Sequence, residues 1–284
     1  ENTVYHQVSA HIENQQKLSN YIPSAPTQLI ELMRELEREE TNFDRIEKII
    51  IEDPSLVGEI IRVSNSPLYR PKTGEIGSVE KAIAMIGVDG IMQIASTVMM
   101  RKIIDIRSTL FAKPVKKVWS HCLKSGEACK ILCNGKSAFQ NYLLGLIHDV
   151  GKVAIFSCFI KETAGQDLPR ELCLAVIARL MRENSFWLST LIAGEWGLSE
   201  LYLLTIGDFE KLCTGGLSEE AYDHRSTEIK VLELGTLCAM IHALSDNGGL
   251  DRDDGIAVLS HAGLTDEEIE KIFARFDLAD ATMT

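Results

Sequence analysis

Strand signals, disulfide spacing and positive charge are all in short supply in this chain, and each shortage excludes something. No segment alternates apolar and polar residues for long, so a sheet-based fold is not expected. The cysteines number seven, an odd count, and no CxxC pair occurs. That argues against a disulfide framework and against knuckle-type zinc sites, and favours a reducing compartment. Cys122, Cys129 and Cys133 share a helix face, but they sit in apolar periodic runs where cysteine behaves as a small hydrophobe. Formal net charge is −12, a field that repels phosphate backbones and anionic lipid. Neither nucleic acid nor a membrane is therefore the expected partner. The basic cluster KPVKK, Lys113 to Lys117, is too short to reverse that sign. No run of eighteen uninterrupted apolar residues appears, and the first residues lack a basic-then-apolar leader pattern. The expectation is a soluble, cytoplasmic protein.

What is present is helical periodicity over 284 residues, with 45% hydrophobic and 25% charged residues, enough to bury a sizeable core. Leu29, Ile30, Leu32, Met33 and Leu36 give residues 27–39 one dry face, while Glu35 to Glu40 read as a solvated one. Thr41, ahead of Asp44, suits a helix N-cap, and Asp53–Pro54 ends that helix and opens the next. Asn65–Ser66–Pro67 punctuates the chain again. Ser78 caps a helix that Gly87 closes, and another runs from Asp89 to about Ile106. Further helices are expected over 115–133, 138–149, 168–182, 185–195, 198–212, 226–245, 251–261 and 265–277, the last opened by a Thr265–Glu268 capping box. The class is all-α, a multi-helical bundle. Its expected division is an N-terminal extension at 1–16, an N-terminal helical lobe at 17–113 and a C-terminal lobe at 114–284, with Pro114 at the boundary. The extension is either frayed or one extra short helix.

The segment LLGLIHDVGKVAIF, residues 143–156, carries an ionisable pair, His148–Asp149, inside an apolar run. Gly145 and Gly151 flank it, leaving room for an ion or for another backbone. His121 lies 27 residues earlier, and a short break between antiparallel helices would set it opposite the pair. Two neutral imidazoles and a carboxylate can hold a divalent metal with positions open to water. Such a metal acidifies bound water and clamps phosphoryl oxygens. The same three side chains could instead hydrogen-bond one another and lock two helices together. Lys152 is either a phosphate-binding group beside the metal, the one weak catalytic candidate, or a helix-end lysine facing the dipole.

His121 with His148–Asp149, followed by Val150–Gly151–Lys152, resembles the HD metal-dependent phosphohydrolase superfamily. The N-terminal half narrows the resemblance. YIPSAPTQLIELMREL with Pro23 and Pro26, IIIEDPSLVGEIIRVSNSPLYR with Asp53–Pro54–Ser55–Leu56 and Asn65–Ser66, and IGSVEKAIAMIGVDGI are similar to the HDOD family, the HD-related output domain of bacterial signalling proteins. The similarity spans roughly residues 20–250. It implies an all-helical fold and a regulatory or signal-output role. It also implies where this chain departs from the catalytic pattern. EIKVLELGTLCAMIHAL lacks the final aspartate ligand of catalytic HD enzymes, and there is no Gly-Tyr-Pro motif. A histidine common in relatives falls on Ser185, and a histidine pair falls near Gly207–Asp208. Asp208, Asp223 and His224 could replace a lost ligand only if the fold brings them near.

The resulting expectation is a bacterial signalling module that binds a protein partner or a small phosphorylated ligand through a degenerate HD site. The competing one is a metal-dependent phosphohydrolase acting on a nucleotide or phosphomonoester. Whether the chain is an enzyme stays open, as does the metal: manganese, nickel, iron, magnesium or zinc.

Overall fold

Capping side chains before apolar faces mark where helices begin. In the computed structural model, which describes residues 1–24, 27–36, 42–69, 74–104, 110–135, 137–216, 218 and 226–283, every regular element is a helix. In order they are α1 (Asn2–Ile12), α2 (Gln15–Leu18), α3 (Thr27–Leu36), α4 (Phe43–Ile51), α5 (Pro54–Ser64), α6 (Val79–Ile86), α7 (Val88–Ile104) and α8 (Ala112–Leu132). There follow α9 (Ala138–Ile147), α10 (Gly151–Glu162), α11 (Arg170–Glu195), α12 (Glu200–Thr214), α13 (Thr227–Asp246), α14 (Arg252–His261) and α15 (Asp266–Met283). The protein is all-α.

Several caps form as expected. Asp53 Oδ1 accepts from Ser55 N at 2.9 Å and Leu56 N at 3.2 Å, ahead of Pro54 in the first turn. Ser78 Oγ accepts from Lys81 N, and Thr265 and Glu268 close their reciprocal box. At α4 the cap is Asn42, whose Oδ1 takes Asp44 N at 2.9 Å and Arg45 N at 3.2 Å. Thr41 and Glu37 to Glu40 lie outside the described residues. Glu35 is not solvated: it is buried, 3.7 Å from Arg45 Nη1, because the start of α4 returns over it.

Of the two alternatives for the opening residues, the extra helix is the one that forms: α1 docks on α10 and α11. Two readings change. In place of the two helices expected over 168–182 and 185–195, a single helix, α11, runs from Arg170 to Glu195, and the polar residues near the expected break bond back into it. Asn184 Nδ2 donates to Leu180 O, and Ser189 Oγ donates to Ser185 O. The expected 138–149 helix instead stops at Ile147, a turn carries His148–Val150, and α10 starts at Gly151.

The stretch Ala138–Glu162 is apolar and long enough to cross a membrane by composition, yet 83% of its apolar window is buried inside the protein. It forms the central α9–turn–α10 unit, packed on α8, α11, α7 and α13. Buried side chains from Val4 to Ala279 make one continuous core, and a smaller cluster around Phe273 and Phe276 sits under α13, α14 and α15.

Candidate metal centre

The site exists because two helices cross without side chains between them. A Cβ on Gly145 of α9 would lie 2.6 Å from Gly126 N and 2.7 Å from Gly126 Cα of α8. One on Gly151 would lie 2.1 Å from Ser185 O of α11. The room left by both glycines is thus taken by backbone, not by an ion. Gly151 N donates to Ser189 Oγ at 2.9 Å, which fixes the first turn of α10. The close crossing sets His121, on α8, beside the His148–Asp149 turn.

The ligating atoms of His121, His148 and Asp149 all lie within 4.8 Å of one another. Asp149 Oδ2 stands 3.6 Å from His121 Nε2 and 3.5 Å from His148 Nε2. His148 Nδ1 lies 2.7 Å from Gly145 O. A carbonyl only accepts, so Nδ1 carries the hydrogen and Nε2 of the neutral ring presents a bare lone pair. That lone pair faces a carboxylate oxygen, an arrangement that repels unless a cation stands between the two. Asp149 Oδ1 is buried and has no hydrogen-bond partner, a second sign of a group built to receive a cation. The donor set, two imidazole nitrogens and a carboxylate, fits a divalent transition metal.

The electrostatics agree. Burial pushes the His121 pKa down to about 4, more than Asp149 restores, and burial likewise lowers His148. Both rings are therefore neutral at physiological pH, the form that ligates metal. Burial alone would raise the Asp149 carboxyl. The Lys152 ammonium opposes this most strongly, the imidazoles add to it only once acid protonates them, and together they hold the carboxyl well below the usual range. His121 keeps 26% of its side chain exposed, while His148 and Asp149 keep 2% each. The centre opens to solvent on the His121 side.

Lys152 corrects an expectation. It lies in the first turn of α10, an N-terminal end where the helix dipole does not favour a cation, and its ammonium donates to Asp149 Oδ2. Burial would lower its pKa, but the Asp149 charge raises it. A resident cation thus already occupies the oxygen that both imidazoles face. Phe209 of α12 places its ring 6.1 Å from that of His148 and closes the apolar side. Asp208 is paired with Lys211 at 2.7 Å on the exposed side of α12. Ser185 is buried against Gly151. Asp223 and His224 lie outside the described residues.

A second group of this type was not singled out from sequence. His242, Asp246 and Asp280 bring ligating atoms within 4.8 Å. Lys124, almost fully buried, fills it: its Nζ is 2.7 Å from Asp280 Oδ2 and 3.2 Å from His242 Nδ1. The i,i+4 spacing of His242 and Asp246 was the available signal, but Asp280 and Lys124 are distant in sequence. The buried thiols Cys122 and Cys129 have pKa values raised by burial, in keeping with packing and not with ligation.

Known proteins place this architecture. A structure described as that of a candidate metal-dependent phosphohydrolase from Shewanella amazonensis SB2B superposes with a TM-score of 0.70 at 15% identity, covering 99% of this chain and 100% of that one. An HDOD domain protein of unknown function from Geobacter sulfurreducens gives 0.59 at 18% identity, covering 99% and 95%. A candidate signal transduction protein from Marinobacter aquaeolei VT8 gives 0.61 at 15% identity, covering 100% and 66%. At these identities the likeness is one of fold. In sequence, an uncharacterized protein of Treponema pallidum (strain Nichols) is 22% identical over 196 residues, 65% of this chain but 37% of that protein, so the chain spans well under half of the relative's length. The HDOD domain model matches residues 22–208, well over half the chain. With the Asp-Pro, Asn-Ser and His-Asp motifs all inside that match, the chain belongs to the HDOD domain family.

Proposed function

We propose that this chain is a bacterial, cytoplasmic signal-transduction module that acts by binding a protein partner or a small phosphorylated ligand, with its HD centre holding a cation rather than turning over substrate. The observation that carries this reading is the Lys152 ammonium on Asp149 Oδ2. A metal must displace or share with that internal cation, and among the described residues only His121, His148 and Asp149 offer it ligands there. Signal transfer would then be a shift between two states of the bundle, which requires a ligand with different affinity for each.

The second reading is a metal-dependent phosphohydrolase. The unpartnered Asp149 Oδ1 and the open His121 side favour it. A divalent ion held by His121, His148 and Asp149 would supply Lewis acidity toward a phosphoryl group. Metal analysis of the purified protein, then a phosphatase screen over nucleotides and phosphomonoesters with manganese, nickel or magnesium, separates the two. The module reading expects no turnover that depends on Asp149. Metal-stimulated hydrolysis abolished in Asp149→Ala replaces it with the enzyme.

A further inference from the structure

We infer that the groove between α4, α6 and the start of α7 is a docking surface for a cationic amphipathic helix of a protein partner. It is separate from the metal centre and does not depend on a metal there. The groove encloses about 830 Å³, within the range of ordinary binding clefts. Phe43, Ala84 and Ile86 contribute its apolar surface, and Asp44, Glu47, Glu80 and Asp89 line it. Phe43 is 58% exposed, and an exposed aromatic beside a cleft offers an anchor point for an apolar partner side chain. Among the described residues no lysine or arginine lines the groove. Lys130 acts on Asp89, but its ammonium is bound to Gln93 Oε1 at 2.6 Å.

Helix-end electrostatics is the competing explanation of the acid. Asp44, Glu80 and Asp89 each sit in the first turn of a helix, where a carboxylate is stabilised whatever binds nearby. The magnitudes decide against that account being complete. A helix N-terminus carries about half a positive charge, and α6 brings both of its ends to the groove, so they cancel. The remaining two N-termini supply about one positive unit against four carboxylates. The groove therefore stays strongly negative. That field selects cationic groups and rejects phosphate, while the apolar surface favours an amphipathic segment over a bare polyamine.

The test uses the full chain and a fluorescein-labelled amphipathic helix of lysine, leucine and alanine, read by fluorescence anisotropy. A counterpart with glutamate at every lysine is the control. The expected result is salt-sensitive binding of the cationic peptide only, unchanged by a chelator. The Glu80→Lys/Asp89→Lys pair and Phe43→Ser should each weaken it by about tenfold. The Glu267→Lys/Glu270→Lys pair on α15 makes the same change in total charge and should alter it by less than about threefold. All of these positions are exposed, and circular dichroism verifies the fold of each variant. Absent binding, equal affinity in the groove variants, or equal losses from both charge pairs overturns the proposal.

Discussion

Lys152 governs what the HD pair can do. In the absence of metal its ammonium neutralises a carboxylate that burial would otherwise penalise, and the two uncharged imidazoles cannot do that work. Removing it changes the balance in a definite direction. In Lys152→Met the Asp149 charge is left facing the His148 lone pair with no cation beside it, so the metal-free protein loses stability while a divalent ion loses its competitor. Manganese or nickel affinity should rise by about tenfold, measured by isothermal titration calorimetry, with a lowered melting temperature in the presence of chelator. Weaker metal binding in that variant would mean that Lys152 supports the centre and does not compete in it. The ligand trio itself was legible in the sequence, since two histidines and an aspartate in apolar surroundings require partners. The role of Lys152 was not. Its reading as a helix-end residue placed the end of the preceding helix at Asp149, whereas that helix stops at Ile147 and Lys152 belongs to the next one.

At the scale of elements, α1 and the turn after α2 are strapped to the end of α10 by Glu162. Gln7 Nε2 donates to Glu162 O at 2.6 Å, His11 Nε2 lies 3.2 Å from Glu162 Oε2, and the Tyr21 hydroxyl donates to Glu162 Oε1. That last bond, with burial and the Glu162 charge, pushes the Tyr21 pKa up to about 12 from an ordinary value near 10. A folded value above the unfolded one stabilises fully below pH 10, and the contribution is lost as pH rises through 12. Thermal melts between pH 9 and pH 12 should therefore show a steeper loss in wild type than in Tyr21→Phe. Parallel curves would show that the phenol does not link the turn after α2 to α10. Helix starts were readable wherever the signal is local, as with Asp53–Pro54 and Ser78, because a side chain three residues away satisfies the first N–H groups. Asn65 shows the limit of that reading. It punctuates a helix, but its side chain also clasps Ile76 through both N and O, at 2.9 and 2.8 Å, closing a loop whose far end lies eleven residues on. Likewise the break before α10 is set by the fit of Gly151 against Ser185, a tertiary contact that no local pattern carries.

Across the whole molecule, one buried ion pair joins regions far apart in sequence. Arg275 of α15 donates to Glu127 Oε2 on α8 at 2.8 Å and to Leu68 O at 2.6 Å, in the segment just after α5. The Tyr69 hydroxyl donates to the other Glu127 oxygen at 3.2 Å, and the guanidinium lies 5.1 Å over the Tyr69 ring. The chain's C-terminal helix thereby touches the Asn-Ser-Pro-Leu-Tyr motif and the helix that carries His121. Glu127 is fully buried, and the Arg275 guanidinium is the counter-ion that offsets the desolvation of its carboxylate. Replacing Arg275 alone by methionine leaves that carboxylate uncompensated and should cost about 3–5 kcal/mol of unfolding free energy. Replacing both partners, as Arg275→Met with Glu127→Leu, removes the stranded charge and should recover most of the loss, because buried ion pairs repay little beyond their own desolvation. Urea denaturation of the two singles and the double closes the cycle. If the double variant is as unstable as Arg275→Met, the loss comes instead from the Leu68 carbonyl and Tyr69, the contacts by which α15 holds the segment after α5 against α8.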